Sequence, residues 1–159
     1  MKEIILSKQG YRHRNEFIAL VDDEDYEYIN EWSWYAHRSD NMFYAVSRTK
    51  GEYVFMHRII LGVSSGVTID HKDRDGLNNQ KSNLRICSNA QNQQNKIGWG
   101  KSGYKGVYLV RYKENISYRA TIQVNKKQIH LGYFKTSEAA AIAYNNAALK
   151  YFGRFARIN

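Results

Sequence analysis

Asp70 and His71 close the apolar stretch Val67–Ile69, and Asn83 and Asn92 follow in the same polar run, HRIILGVSSGVTIDHKDRDGLNNQKSNLRICSNAQNQQNK, residues 57–96. A histidine with a pKa near ~6.5 can take a proton from water at neutral pH. A carboxylate and an amide oxygen are the hard ligands Mg²⁺ prefers, and a cation beside a phosphate stabilises the charge that grows on it. Asp70 and Asn92 could therefore converge on one cation while His71 acts on water, a combination suited to phosphodiester hydrolysis. Asn83 would accept the ring N–H of His71 or otherwise brace the loop. Taken alone, an adjacent Asp–His pair is weak evidence, because both residues are common at strand ends and turns.

The elements that must position these groups are legible in outline. Residues 67–69 read as a strand with Asp70 and His71 at its end, pointing to opposite faces. The turn-rich KDRDGLNNQKS leads to a second short strand, Asn83–Cys87, and Ser88 can cap a polar helix over 89–96. Asn89 and Asn95 lie one helical turn either side of Asn92, and Asn95 is the second choice as helix ligand. Arg58 and Arg85 are candidate phosphate contacts. His57, flanked by Phe55, Met56, Ile59 and Ile60, either joins them or is a satisfied, half-buried histidine.

The ordered elements His57-Arg58, Asp70-His71, Leu77-Asn78-Asn79, Ser82-Asn83-Leu84-Arg85 and Asn92 resemble the HNH (ββα-metal) nucleases, in particular the branch of phage and intron-encoded homing endonucleases. The resemblance implies that His71 is the general base, Asp70 and Asn92 the metal ligands, and Asn83 the structural asparagine. It departs from the family name in carrying Asn92 where the last histidine would stand, which favours Mg²⁺ or Mn²⁺ over softer metals.

Charge is unevenly spread. Residues 1–95 hold 12 Lys/Arg against 13 Asp/Glu, a net of −1, whereas residues 96–159 hold 12 Lys/Arg against Glu114 and Glu138, a net of +10. That asymmetry marks a polyanion binder at the C-terminal end, and its regularly spaced Tyr, Ile and Val mark it as folded. With Cys87 the only cysteine there is no disulfide framework and no structural zinc. No apolar run approaches the ~18 residues of a membrane span. The expectation is a cytoplasmic protein of a bacterial host cell, encoded by host or phage, with no membrane partner.

Proline is absent, and Gly98, Gly100 and Gly103 cluster where the charge balance changes, which sets the domain boundary. Upstream, Phe17–Val21 and Met42–Ser47 read as strands, and Asp22–Glu31 as a helix with acidic residues in its first turn. The acidic run Asp22–Asp25 is read as a solvated helix start with an Asp cap rather than a metal cluster. Trp32, Trp34 and Ala36 alternate as in a strand, and the two indoles are read as core rather than as base-stacking platforms.

Beyond Gly103, Tyr104–Arg111 reads as a first strand. Tyr118, Ala120, Ile122 and Val124 alternate with Arg119, Thr121 and Gln123; after the turn Asn125-Lys126-Lys127, Ile129, Leu131 and Tyr133 continue the apolar face, and Gln128 and His130 the polar one. A helix follows, capped by Thr136 and ended by Gly153, with the stripe Ala140, Ala143, Tyr144, Ala147 and Tyr151. The stretch YKGV…YRATIQV…HLGYFKTSEAAAIAYNNAALKYFG is similar to the Apetala/ethylene-response-factor DNA-binding domain. That resemblance implies that Arg119, Thr121, Gln123 and His130 face DNA, joined by Tyr108, Arg111 and Tyr118. Lys105, Lys113, Lys126 and Lys127 would add sequence-independent attraction to phosphate.

The sequence thus predicts an α+β protein: an N-terminal α+β extension (1–55), an HNH nuclease core (56–97), a linker (98–103) and a three-stranded antiparallel sheet packed on one helix (104–159). The expected activity is metal-dependent cleavage of double-stranded DNA. One catalytic unit per chain suggests a nicking monomer. The rivals are a DNA-binding regulator with an inactive HNH fold and an RNA-directed protein.

Overall fold

The computed structural model describes residues 1–7, 17–39, 42–96 and 102–159. It is an α+β chain with two compact units, Met1–Asn89 and Ala90–Asn159. The linker expected at 98–103 lies mostly outside the described residues.

In the first unit, β1 (Lys2–Leu6) pairs antiparallel with β2 (Phe17–Val21). Their alternation sends Ile4, Leu6, Ala19 and Val21 into the core. Helix α1 (Asp23–Asn30) follows, and then β3 (Tyr35–Ser39), β4 (Met42–Thr49) and β5 (Glu52–Phe55) form a sheet in that order. Ala36 and Ala45 on one sheet face join Ile29, Trp34 and Met56 in the core. A short helix α2 (Met56–Leu61) ends at Gly62, whose φ of 61° is the left-handed conformation glycine adopts cheaply. The hairpin-like pair β6 (Thr68–His71) and β7 (Leu84–Cys87) completes the unit.

The strand expected at Trp32–Ala36 begins only at Tyr35. Trp32 N–H and the Trp34 indole N–H both donate to the Ile29 carbonyl, at 3.2 and 2.7 Å, so this segment closes the end of α1. Trp34 is buried and Trp32 stacks on it at 5.8 Å, both in the core. The Asp cap is a correction too. Asp22 occupies the N-cap position but its carboxylate makes no cap bond; it accepts instead from Lys81 N–H at 2.8 Å and Gln80 Nε2 at 3.1 Å. Glu24 and Asp25 hold the Lys81 ammonium at 2.6 and 2.8 Å, Asp25 before Glu24 raising its pKa.

The second unit carries α3 from its start, a helix spanning Asn89–Asn95. Strands β8 (Val107–Tyr112), β9 (Asn115–Val124) and β10 (Lys127–Phe134) form an antiparallel sheet with β9 in the centre. Helix α4 (Ser137–Phe152) packs Ala140, Ala141, Tyr144, Ala147 and Ala148 against Val107, Ala120 and Ile122. Thr136 Oγ1 caps it by accepting from Ala139 N–H at 3.2 Å, and Gly153 ends it. Tyr151, expected in the buried stripe, is 43% exposed, and the stripe instead includes Ala141 and Ala148. The first strand begins at Val107 rather than Tyr104 because Gly106, at φ 72°, turns the chain under Tyr144. A Cβ at Gly106 would lie 2.2 Å from the Tyr144 ring.

A bulge in β10 between His130 and Gly132 overturns one further expectation. It shifts the pleat by one residue, so Phe134 turns to the core while Tyr133, expected on the apolar face, comes to the open face at 60% exposure.

Candidate active site and its neighbours

His71 ends β6 with its side chain buried at 3% exposure. Its ring stands edge-on to His57, centroids 5.2 Å apart, and both rings lie 5.8 Å from Tyr44 on β4. Burial pushes the His71 imidazole below its usual value, against the opposing pull of Asn79 and of the carboxylates Asp73, Asp70 and Asp75. Burial thus works against the charged imidazolium. His57 is pushed down to about 3, by burial first and then by His71 and Arg58. Its Nδ1 is buried with no hydrogen-bond partner among the described residues.

Asp70 points to the other side of β6, where the register sets it opposite Arg85 on β7. The guanidinium reaches Asp70 Oδ2 twice, from Nε at 2.7 Å and from Nη2 at 2.5 Å, with both side chains almost wholly buried. Arg85, expected at a phosphate, therefore orients the carboxylate. Arg58, the other expected phosphate contact, donates from Nη1 to the Ser64 carbonyl at 2.5 Å.

Asn83 is the centre of the loop between the two strands. Its Oδ1 accepts from Asp73 N–H at 3.1 Å, and its Nδ2 donates to Asp73 Oδ1 and to the Asn78 carbonyl, both at 2.9 Å. Of the two roles expected for Asn83, these contacts are those of a loop brace. The asparagine beside His71 is Asn79, a fully buried residue whose Nδ2 donates to the Leu77 carbonyl at 2.9 Å. Asn79 is fixed in turn by β2: its N–H donates to the Leu20 carbonyl at 2.8 Å, and Leu20 N–H donates to the Leu77 carbonyl at 2.9 Å. With Asp22 on Gln80 and Lys81, β2 and the residue after it hold the loop that carries Asn79. Gly76 fits tightly under β4, where a Cβ would lie 2.4 Å from the Phe43 carbonyl oxygen and 2.8 Å from the Tyr44 ring.

Asn92 is half-buried on α3, whereas Asn95 is buried on the same helix. Among the described residues no three His, Cys, Asp or Glu side chains cluster as a metal cage. The hard oxygen of Asp70 fits an ion such as Mg²⁺, which commonly takes one or two protein oxygens and completes its shell with water and substrate phosphate.

Residues 55–94 match the HNH endonuclease family. The chain is also 32% identical, over 146 residues, to an uncharacterized HNH endonuclease of Acanthamoeba polyphaga mimivirus, an alignment covering 89% of this chain and 74% of that protein. The chain belongs to the HNH endonuclease family. No solved structure matches it. HNH nucleases depend on divalent metal ions, and the matched stretch of this one contains Asp70, His71, Asn83 and Asn92. No helix among the described residues is long and apolar enough to cross a membrane.

In the second unit of this HNH protein, the sheet face turned away from α4 carries a row across all three strands. Arg119 is registered between Tyr108 and Tyr133, its guanidinium 5.5 Å from the Tyr108 ring centroid. His130 packs on Tyr133 at 4.8 Å. Gln123 and Gln128 are exposed on this face. Thr121 is on the same face but 5% exposed, accepting from Gln128 Nε2 at 3.3 Å at the floor of a concavity of about 950 Å³. Tyr118 packs on the α4 side with Val107 and Ala120. Arg111 is exposed, on the side of β8 opposite to Tyr108. Lys105 does not project to solvent: its Nζ binds the Gln94 and Lys96 carbonyls at 2.7 and 2.6 Å, and burial, then Arg157, lowers its pKa to about 8. It serves the orphan carbonyls of a helix end.

Proposed function

We propose that this HNH protein is a divalent-metal-dependent DNA endonuclease of the homing or free-standing phage type, which nicks double-stranded DNA at sites chosen by its C-terminal sheet. His71 takes the proton from the attacking water. Asp70 and Asn92 supply the protein oxygens for Mg²⁺ or Mn²⁺. When bound, that ion supplies charge stabilisation at the scissile phosphate. Arg85 aims Asp70, and Asn83 keeps the loop closed beside the His71 ring. The observation that carries the reading is the buried His71 beside an arginine-oriented Asp70.

Site selection is assigned to the open face of the second unit, an Apetala/ethylene-response-factor-like domain in this reading. Arg119, Gln123 and His130 are suited to base edges in the major groove, with Tyr108 and Tyr133 setting the guanidinium. Supercoiled plasmid incubated with the full chain, with Mg²⁺ or with chelator, tests the nuclease. Metal-dependent nicking that His71→Ala abolishes, while duplex binding persists, is the expected result. Binding without any metal-dependent nicking would favour a DNA-binding regulator built on an inactive HNH fold.

A further inference from the structure

A second basic surface belongs to the first unit. In β4, residues 44, 46 and 48 point to one side of the sheet, and the register places His37 on β3 beside Tyr44, and Tyr53 on β5 beside Arg48. This is the side on which Tyr44 meets His57 and His71. At its far end Arg48 is exposed, its guanidinium 5.9 Å from the Tyr53 ring centroid and its Nε 3.4 Å from the Gly51 carbonyl. Tyr53 is 51% exposed and also packs on His37 at 4.9 Å. Exposed Lys50 sits in the adjoining turn at φ 52°. Among the described residues no carboxylate pairs with Arg48 or Lys50. Of the β3–β5 strands only β5 carries an acidic residue, Glu52, and its partner Thr49 puts it on the opposite face.

We infer that Arg48, Lys50, Tyr53 and His37 form a second contact for duplex DNA, gripping its phosphate backbone at the far end of the sheet face whose other end, at Tyr44, packs on His71. The inference rests on the nuclease reading and adds a substrate-holding surface to it. A hairpin-tip arginine is usually just solvated. Here the guanidinium is held over an aromatic ring, on a face to which β3, β4 and β5 contribute no acidic residue, in a unit whose overall charge is close to neutral. Four residues of strand place Arg48 about 13 Å along β4 from Tyr44. Backbone phosphates rise ~3.4 Å per step along one strand of duplex. The gripped phosphate is therefore not the one at the cut but another farther along the backbone.

Phosphate contacts are sequence-independent, so a random-sequence duplex is a sufficient probe. Full-length wild type, Arg48→Ala/Lys50→Ala and Arg48→Lys are compared by fluorescence anisotropy across a salt series and by plasmid nicking. The double variant is expected to flatten the slope of log K against log salt by about one to two, near 0.9 per phosphate lost. It should raise the DNA concentration for half-maximal nicking several-fold while the rate at saturating DNA stays within about twofold. Arg48→Lys should keep most of the slope. A double variant with wild-type slope and affinity, or an effect confined to duplex RNA, overturns the inference. So does an Arg48→Lys variant as impaired as the double. Failure of wild type to bind and nick duplex DNA would sink the nuclease reading itself, an outcome visible before any variant is made.

Discussion

His57 offers a prediction whose size can be worked out in advance. Its ring is buried among Phe55, Tyr44 and His71, and burial lowers its pKa to about 3. In the unfolded chain it returns to ~6.5. A histidine with a depressed folded pKa favours the unfolded state wherever that state alone is protonated. Stability is therefore intact above pH 6.5 and is lost as pH falls from there towards 3. At pH 5 the unfolded ring gains about 2 kcal/mol from its proton that the folded ring cannot. His57→Leu removes the proton site at similar volume. Urea unfolding followed by the fluorescence of buried Trp34, in the same unit, should show wild type losing about 2 kcal/mol more than the variant between pH 7.5 and 5. Groups common to both proteins cancel in the difference. If that difference is flat with pH, His57 is solvated or can be protonated in place, and the buried-pair description of the two rings is wrong.

Arg85→Leu leaves Asp70 as a buried charge without its guanidinium and should cost about 3–5 kcal/mol in urea unfolding, much of it regained when Asp70→Asn is added. Gly76→Ala forces its Cβ into the Phe43 carbonyl and the Tyr44 ring; a loss of about 1–3 kcal/mol in the same assay, with a fall in nicking, is expected. Asp22→Ala removes the acceptor of Lys81 N–H and Gln80 Nε2, so it should cost about 2 kcal/mol and lower nicking more than duplex affinity.

Where one residue's character decides the local structure, the sequence was readable. The alternation of β9, the Thr136 cap, the Gly153 stop and the strand–loop–strand–helix order around Asp70 follow from such local signals. What escaped depended on partners far away in the chain. Asp22 looks like a helix cap until Gln80 and Lys81, 58 and 59 residues later, take its oxygens. Arg85 looks like a phosphate ligand until the register of β6 on β7 sets it against Asp70. Tyr133 reads as core because a bulge of one residue leaves no mark on the alternation before it. For the choice between Asn78 and Asn79, adjacent and identical in type, only the bond to Leu20 distinguishes the buried one that lies beside His71.

The Leu20 bridge also bears on how such a protein could be inherited in pieces. The stretch that carries the HNH signature obtains part of its backbone pairing from a strand some 60 residues earlier, at Leu20, and part of its loop anchorage from Asp22. A gene rearrangement that moved only the signature would deliver the chemistry without the strand that keeps Asn79 at the histidine. The portable cassette is the whole segment from β1 through α3, so that Asn92 travels with Asp70 and His71, and shuffling with new targeting modules is expected to respect that edge.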